Sequence, residues 1–158
     1  MSINKRFMGK LIDSKLLSKD ENGYVKCRWC QKPVLPPRRT MCSANCAHEI
    51  KLRCNGRYLR QCVYKRDNGI CSICNIDTKQ IAKKALSFNN INDKLEYLKQ
   101  MDISPKRKIW KRKYGGGLWD ADHIVAVKDG GGQCGLENLR TLCIKCHKSK
   151  TFSSSAVI

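Results

Sequence analysis

Eight of the eleven cysteines in this 158-residue chain fall into pairs at metal-binding spacing, which constrains the fold more than any other feature. Cys27/Cys30, Cys71/Cys74 and Cys143/Cys146 are CxxC pairs, and Cys42/Cys46 is a fourth, looser pair. Zinc takes four soft ligands in a tetrahedron and two such knuckles supply them, so the grouping predicts two structural Zn2+ ions and argues against a disulfide scaffold. Thiolates bind metal only while reduced, which predicts a reducing intracellular compartment, the cytoplasm or a eukaryotic nucleus. Cys54, Cys62 and Cys134 stay outside the pairs, with burial as small apolar groups their default.

The pairs divide the chain. Residues 1–23 read as an N-terminal arm, with Phe7, Met8, Leu11 and Ile12 at helical spacing. Residues 24–54 read as a four-Cys zinc finger. Cys27 and Cys30 form one knuckle, 33–39 a rigid basic loop, and Cys42 with Cys46 closes the site where Ser43 can cap a helix. His48, two residues past Cys46, would point away from the metal and reads as a surface residue. A second domain is expected over 55–151, followed by a tail at 152–158. It opens with a helix from Asn55 to Asn68 whose Tyr58, Leu59, Cys62 and Val63 share a face, with Arg57, Arg60, Lys65 and Arg66 offered to solvent or phosphate.

A helical insertion at 77–113 separates the Cys71 and Cys143 knuckles. Ile81, Ala82, Ala85 and Leu86 form one apolar stripe, and Leu95, Leu98 and Met101 another, in a segment where Asp93 and Glu96 have capping-box spacing. The insertion ends in KRKIWKRK, where Lys106, Arg107, Lys111 and Arg112 surround Ile109 and Trp110, a pattern suited to phosphate contact. The whole chain carries 32 Lys and Arg against 13 Asp and Glu, a formal charge of +19 that favours a polyanionic partner. No apolar run approaches the ~20 residues of a membrane helix, and the first residues lack the pattern of a secretory leader, so no membrane partner is expected.

Trp119 to Lys150 carries the chemistry. Alternation over Trp119–Val127 reads as a strand with Trp119, Ala121, His123, Val125 and Val127 on one face. Asp122 and His123 would then point apart, and can share a site only where the strand ends or bends. Gly130–Gly132 makes a turn, Asn138 precedes a return strand at Leu139–Leu142, and a helix follows with His147. Asp122 and His147 are candidate ligands for one metal ion, His123 for taking a proton from water, and Asn138 for bracing the loop that aims His123. Each has a plainer reading: an extra zinc ligand, a hydrogen-bonded Asp-His pair, a turn asparagine.

Together, KRDxGxCxxC at 65–74 and ADHIxxVxxGGGxCxLxNLxTLCxxCHxxKT at 121–151 resemble the HNH endonuclease family. The plan from about Gly23 to Thr151 is similar to the HNH module of replication-fork annealing helicases with endonuclease activity, and to stand-alone bacterial and phage HNH proteins. The resemblance implies a small zinc-stabilised α+β fold: a ββα-metal, treble-clef-like catalytic core with a helical insertion, preceded by the finger. It implies metal-dependent cleavage of DNA, with His123 as general base, Asp122 and His147 as ligands of the catalytic ion, Asn138 as brace and the knuckle cysteines on zinc. Imidazole titrates near ~6.5 and can accept a proton at neutral pH. Mg2+ or Mn2+ is the expected catalytic ion, with Zn2+ or Ni2+ compatible with the same donors. Arg140, Lys148 and Lys150 lie close enough in sequence to help hold the scissile phosphate. The alternative is a catalytically silent zinc module that binds DNA or protein. DNA is the expected partner, and parent replication or repair machinery is left open.

Overall fold

The computed structural model describes residues 12–103 and 117–155. The chain divides into two compact units, Met1–Leu59 and Arg60–Ile158. Among the described residues there are five α-helices, α1 (Ala44–Cys54), α2 (Gly56–Asp67), α3 (Thr78–Ser87), α4 (Ile91–Gln100) and α5 (Ile144–Ser155), and one two-stranded sheet of β1 (Trp119–His123) and β2 (Leu139–Cys143). The fold is small and α+β, with a β-β-α succession at its C-terminal end.

In the first unit the described chain opens with a short 3-10 turn at Ser14–Leu16 and folds back through a bridge between Lys19 and Val25. Residues 18–23, read from sequence as part of the arm, are thus hydrogen-bonded to the finger: the Lys26 amide donates to the Ser18 carbonyl at 2.8 Å. Ser43 caps α1, its hydroxyl accepting from the Cys46 amide at 3.1 Å. Cys27, Val34 and Cys46 form the buried centre, with Val25, Trp29 and Met41 against it. The Arg53 guanidinium lies 4.3 Å from the Trp29 ring centre, covering the indole with a cation that also pairs with Glu49. His48 is half-buried, not a plain surface residue, because its Nδ1 meets the Tyr58 hydroxyl at 2.8 Å.

In the second unit, the described part of the insertion folds as an α-hairpin. Ile81, Ala82 and Ala85 of α3 pack with Leu98 of α4, Ile103 and Leu118. The expected stripes are narrower than the sequence suggests. Leu86 is 60% exposed, and Leu95 and Met101 also face solvent, since the two short helices meet along one seam. Helix α4 starts earlier than the Asp93/Glu96 spacing implies: Asn90 caps it by accepting from the Asn92 amide at 2.9 Å. The Lys106, Arg107, Lys111 and Arg112 run lies outside the described residues, as does the Phe7, Met8 and Leu11 part of the arm.

The sheet is antiparallel, with Trp119 opposite Cys143 and His123 opposite Leu139. Strand β1 stops at His123, short of the expected Val127. Beyond it, both backbone polar groups of Val125 bond to the Asn138 side chain, and the Ala126 carbonyl accepts from the Asp129 and Gly131 amides. Those groups are unavailable to β2, so the chain turns instead of pairing. Val125 and Val127, expected on one strand face with Trp119 and His123, lie beyond the strand and are exposed. At the other end, α5 continues to Ser155, into the segment read as a tail.

Leu98 is fully buried while Leu86 is not. Leu98→Ala should cost about 2–5 kcal/mol of stability by emptying a core site, whereas Leu86→Ala should stay within about 0.5 kcal/mol. Denaturant midpoints of the zinc-loaded protein measure both, and equal losses would contradict the packing described.

Candidate active site and metal centres

Two clusters of four thiols gather all eight paired cysteines. Cys27, Cys30, Cys42 and Cys46 form one, and Cys71, Cys74, Cys143 and Cys146 the other, with the sulfur atoms of each within 4.8 Å of one another. All eleven cysteines are free, so no disulfide competes. The two leading knuckles share one backbone design. The Gln31 amide donates to the Cys27 carbonyl at 3.0 Å and the Asn75 amide to the Cys71 carbonyl at 2.9 Å, with Gln31 and Asn75 both left-handed, at φ 62° and 56°. Both clusters could hold a metal ion such as zinc. Cys54, Cys62 and Cys134 are half-buried, and burial pushes the Cys54 thiol up.

The electrostatics of the thiols fit a cation. Burial opposes ionisation of Cys27, but the backbone amides of Cys30, Cys42 and Trp29 outweigh it and bring the thiol down to about 6. Burial likewise opposes Cys71, and the amides of Cys74, Cys143 and Ile73 bring it down to about 7. Their neighbours go the other way. Cys42 is pushed up to about 12 by the Cys30 and Cys46 thiols, and Cys146 is pushed far up by burial and by the Cys143 and Cys74 thiols. Each cluster therefore has one thiol that ionises near neutrality and another that resists a second charge unless a cation is among them.

The hairpin and α5 bring the acidic and imidazole groups together. Asp120 and Asp122 lie two residues apart on β1 and so share a face. Along α5, His147 Nδ1 lies 3.5 Å from Asp120 Oδ2, and Lys150 Nζ lies 2.7 Å from Asp122 Oδ2. One edge of α5 thus runs beside the acidic face of β1. Asp122 is buried, at 8% exposure, and also accepts from Arg140 Nε at 3.2 Å. Lys150 donates as well to the His123 carbonyl. Carboxylate and imidazole are donor types that hard or borderline divalent ions accept, although among the described residues only the two thiol clusters draw three or more donors within 4.8 Å of one another.

Asn138 ties the hairpin loop. Its Oδ1 accepts from the Val125 amide at 2.8 Å, its Nδ2 donates to the Val125 and Gly131 carbonyls, both at 3.1 Å, and its own carbonyl accepts from the Ile124 amide at 2.9 Å. Gly131 is required there: a Cβ would lie 2.0 Å from the Val125 carbonyl oxygen and 2.6 Å from Asn138 Nδ2.

Several residues are placed otherwise than expected. Arg140 and Lys150, read as phosphate contacts, are engaged with Asp122; Lys148 is exposed. His147 is paired with Asp120, which the sequence reading passed over. Arg60, read as exterior charge, donates to Asp120 Oδ1 at 2.7 Å and to the Trp119 carbonyl at 3.0 Å, and lies 4.5 Å from the Trp119 ring centre. Tyr64, one turn along α2, stacks on the same indole. The period-2 placement of Asp120 beside Asp122 is the signal that could have drawn Asp120 into the site.

The family profile described as HNH endonuclease matches residues 110–153. The chain is 32% identical over 153 residues to the DNA annealing helicase and endonuclease ZRANB3 of Homo sapiens, and 31% identical over 147 residues to that of Mus musculus. Each alignment covers 84% of this chain. The chain carries an HNH endonuclease family domain. It spans 13% of the length of the human relative and 14% of the mouse one. The crystal structure of the human ZRANB3 HNH domain aligns at 32% identity, covering 61% of this chain and 86% of that chain with a TM-score of 0.45. The segment matched by the HNH profile contains β1, the Asn138 loop, β2 and nearly all of α5.

Zinc titrated into reduced, chelator-stripped protein should release protons, since thiols held up by their neighbours must give theirs away. Release should grow, and affinity weaken, as the medium goes from about pH 8 to about pH 6. Calorimetry in two buffers of unlike protonation enthalpy counts the protons, and a count of zero at both pH values would contradict thiolate binding.

Proposed function

We propose that the chain is a metal-dependent endonuclease that hydrolyses DNA phosphodiester bonds, with 24–54 as a four-Cys zinc finger, 55–151 as the nuclease domain, and one structural Zn2+ in each thiol cluster. The observation that carries this reading is the Asn138 network, which holds the turn directly after His123 beside a buried carboxylate. Three side-chain hydrogen bonds from one asparagine fix the position of the loop that follows His123.

His123 acts as general base, accepting a proton from the attacking water. Asn138 keeps His123 at the end of the strand by denying the loop to β2. Asp122 and His147 hold the catalytic ion, Mg2+ or Mn2+, with Zn2+ or Ni2+ accepted by the same donors. When bound, that ion stabilises the charge that grows on the phosphate oxygens. Asp120 orients His147 from its Nδ1 side, and Arg60 holds Asp120 in turn. Lys148 is left to meet phosphate, and the 106–113 cations add affinity that is insensitive to sequence. Among the described residues no helix is long and apolar enough to cross a membrane.

One observation favours a second reading, a silent zinc module that binds DNA. Asp122 is already neutralised by Lys150 and Arg140, so any ion it takes must compete with an ammonium and a guanidinium.

Plasmid nicking with and without divalent metal separates the two. His123→Ala should preserve folding, zinc content and DNA affinity while lowering cleavage by the ~10²- to 10⁴-fold typical of a lost general base. His147→Ala should weaken Mn2+ binding and recover partly at high Mn2+. Zinc-replete protein that leaves supercoiled, linear and branched DNA intact in Mg2+, Mn2+ and Ni2+ would establish the silent module; cleavage indifferent to His123→Ala would reject this mechanism alone.

A further inference from the structure

Helix α2 ends in a pair of side chains that reach across to the hairpin. Arg66 donates from Nη1 to the Leu136 carbonyl and from Nη2 to the Leu139 carbonyl, the latter at 2.6 Å. Its Nε donates to Asp67 Oδ1 at 2.7 Å, and Nη2 to Asp67 Oδ2 at 3.1 Å. Asp67 Oδ2 in turn accepts from the Thr141 amide at 2.9 Å. One guanidinium therefore grips the backbone on both sides of the Glu137-Asn138 dipeptide, and the neighbouring carboxylate holds the next turn of β2.

We propose that Arg66 is a positioning residue for catalysis, fixing the backbone that aims the Asn138 side chain and, through it, the loop after His123. The inference rests on the reading of His123 as general base. The chain of contacts is continuous: Arg66 to the carbonyls of Leu136 and Leu139, Asn138 between them to Val125 and Gly131, and the Asn138 carbonyl to Ile124, the residue after His123. The residue type fits the task. A guanidinium offers several N–H groups in a rigid plane and can serve two carbonyls and a carboxylate at once, whereas an ammonium is a point donor. Burial opposes the charge of Asp67, but Arg66 and the Thr141 amide outweigh it and hold its carboxyl below the usual range, so the pair stays charged at neutral pH. A cation at the end of a basic helix would ordinarily be read as a phosphate contact; here Nε, Nη1 and Nη2 each donate within the protein.

The test compares Arg66→Lys with Lys65→Ala in zinc-loaded full-length chain. Lys65 is the exposed neighbouring cation on α2. Arg66→Lys keeps the charge and should lower kcat by up to about 10²-fold, the effect of a displaced catalytic group, while DNA affinity and its salt dependence stay at the unmodified level. Lys65→Ala should leave kcat unchanged. The second readout needs no cleavage: backbone amide exchange by NMR should show Val125, which donates to Asn138 Oδ1, losing protection in Arg66→Lys, while Ile144, which donates to the Leu118 carbonyl at 3.0 Å, keeps it. Protection at Val125 unchanged by Arg66→Lys overturns the proposal, whether or not the chain cleaves DNA. Weaker DNA binding with unchanged kcat overturns it too, in favour of a phosphate contact. If the unmodified chain does not cleave, the nuclease reading fails by itself, and the exchange data still decide whether Arg66 orders the Asn138 loop. If Arg66→Lys is too unstable to study, as loss of the Ile144 protection would reveal, Asp67→Asn replaces it: it keeps the guanidinium but removes the charge that orients it, and loss of Val125 protection is again expected.

Discussion

Four thiols within a few ångströms cannot all carry charge unless a cation stands among them, and the second unit is closed around such a group. Cys71 and Cys74 follow α2, while Cys143 ends β2 and Cys146 lies in the first turn of α5. The cluster therefore ties the helix that carries Arg60 and Arg66 to the strand and helix that carry Arg140, His147 and Lys150. In a unit of this size the apolar core is modest: Leu142 and Cys143 are buried against Cys71 itself, so the sulfur groups are part of the packing as well as donors. The ends of β2 and α5 are set by the same residue pair, which fixes the turn of α5 on which His147 falls.

Charge compensation organises the face that this closure exposes. The chain is strongly basic, yet Asp120 and Asp122 stand side by side on β1, held by Arg60, Arg140 and Lys150. Each cation reaches the acids from a different element, so the acidic face is also a point where α2, β2 and α5 converge. Cations that a basic sequence seems to offer to a polyanion are in part committed internally. The cationic surface available to a polyanion is accordingly smaller than the formal charge suggests, and Lys148 differs from Lys150, two residues away, in being exposed.

Much of this was legible in the sequence because it is local. CxxC spacing marks the knuckles, Ser43 three residues before Cys46 marks the α1 cap, and the order Asp122-His123, Asn138, His147 marks the hairpin and helix. What was not legible depends on pairings far apart in the chain. Arg60 meets Asp120, and Arg66 meets Leu136 and Leu139, across distances that periodicity does not encode. Alternation through Val125 and Val127 suggests a longer strand than β1, whereas one side chain, Asn138, takes the hydrogen bonds that would have extended it. The apolar stripes of α3 and α4 were read too wide because two ten-residue helices bury only the seam between them. Helical spacing points His48 to the surface, but its partner, Tyr58, belongs to the next helix and lies outside what local spacing encodes.

The separation of the Cys71 and Cys143 knuckles has a consequence for how such a chain can change over time. The α3–α4 insertion is closed off by one thiol cluster, since Cys74 precedes it and Cys143, the register partner of Trp119, follows it. The entropy of closing a loop rises only with the logarithm of its length, roughly 0.6 kcal/mol for each doubling. The α3–α4 hairpin also keeps its own buried seam. Insertions and deletions in this stretch are therefore inexpensive for the fold: the segment is a natural place for relatives to diverge in length and surface while the hairpin and α5 stay the same.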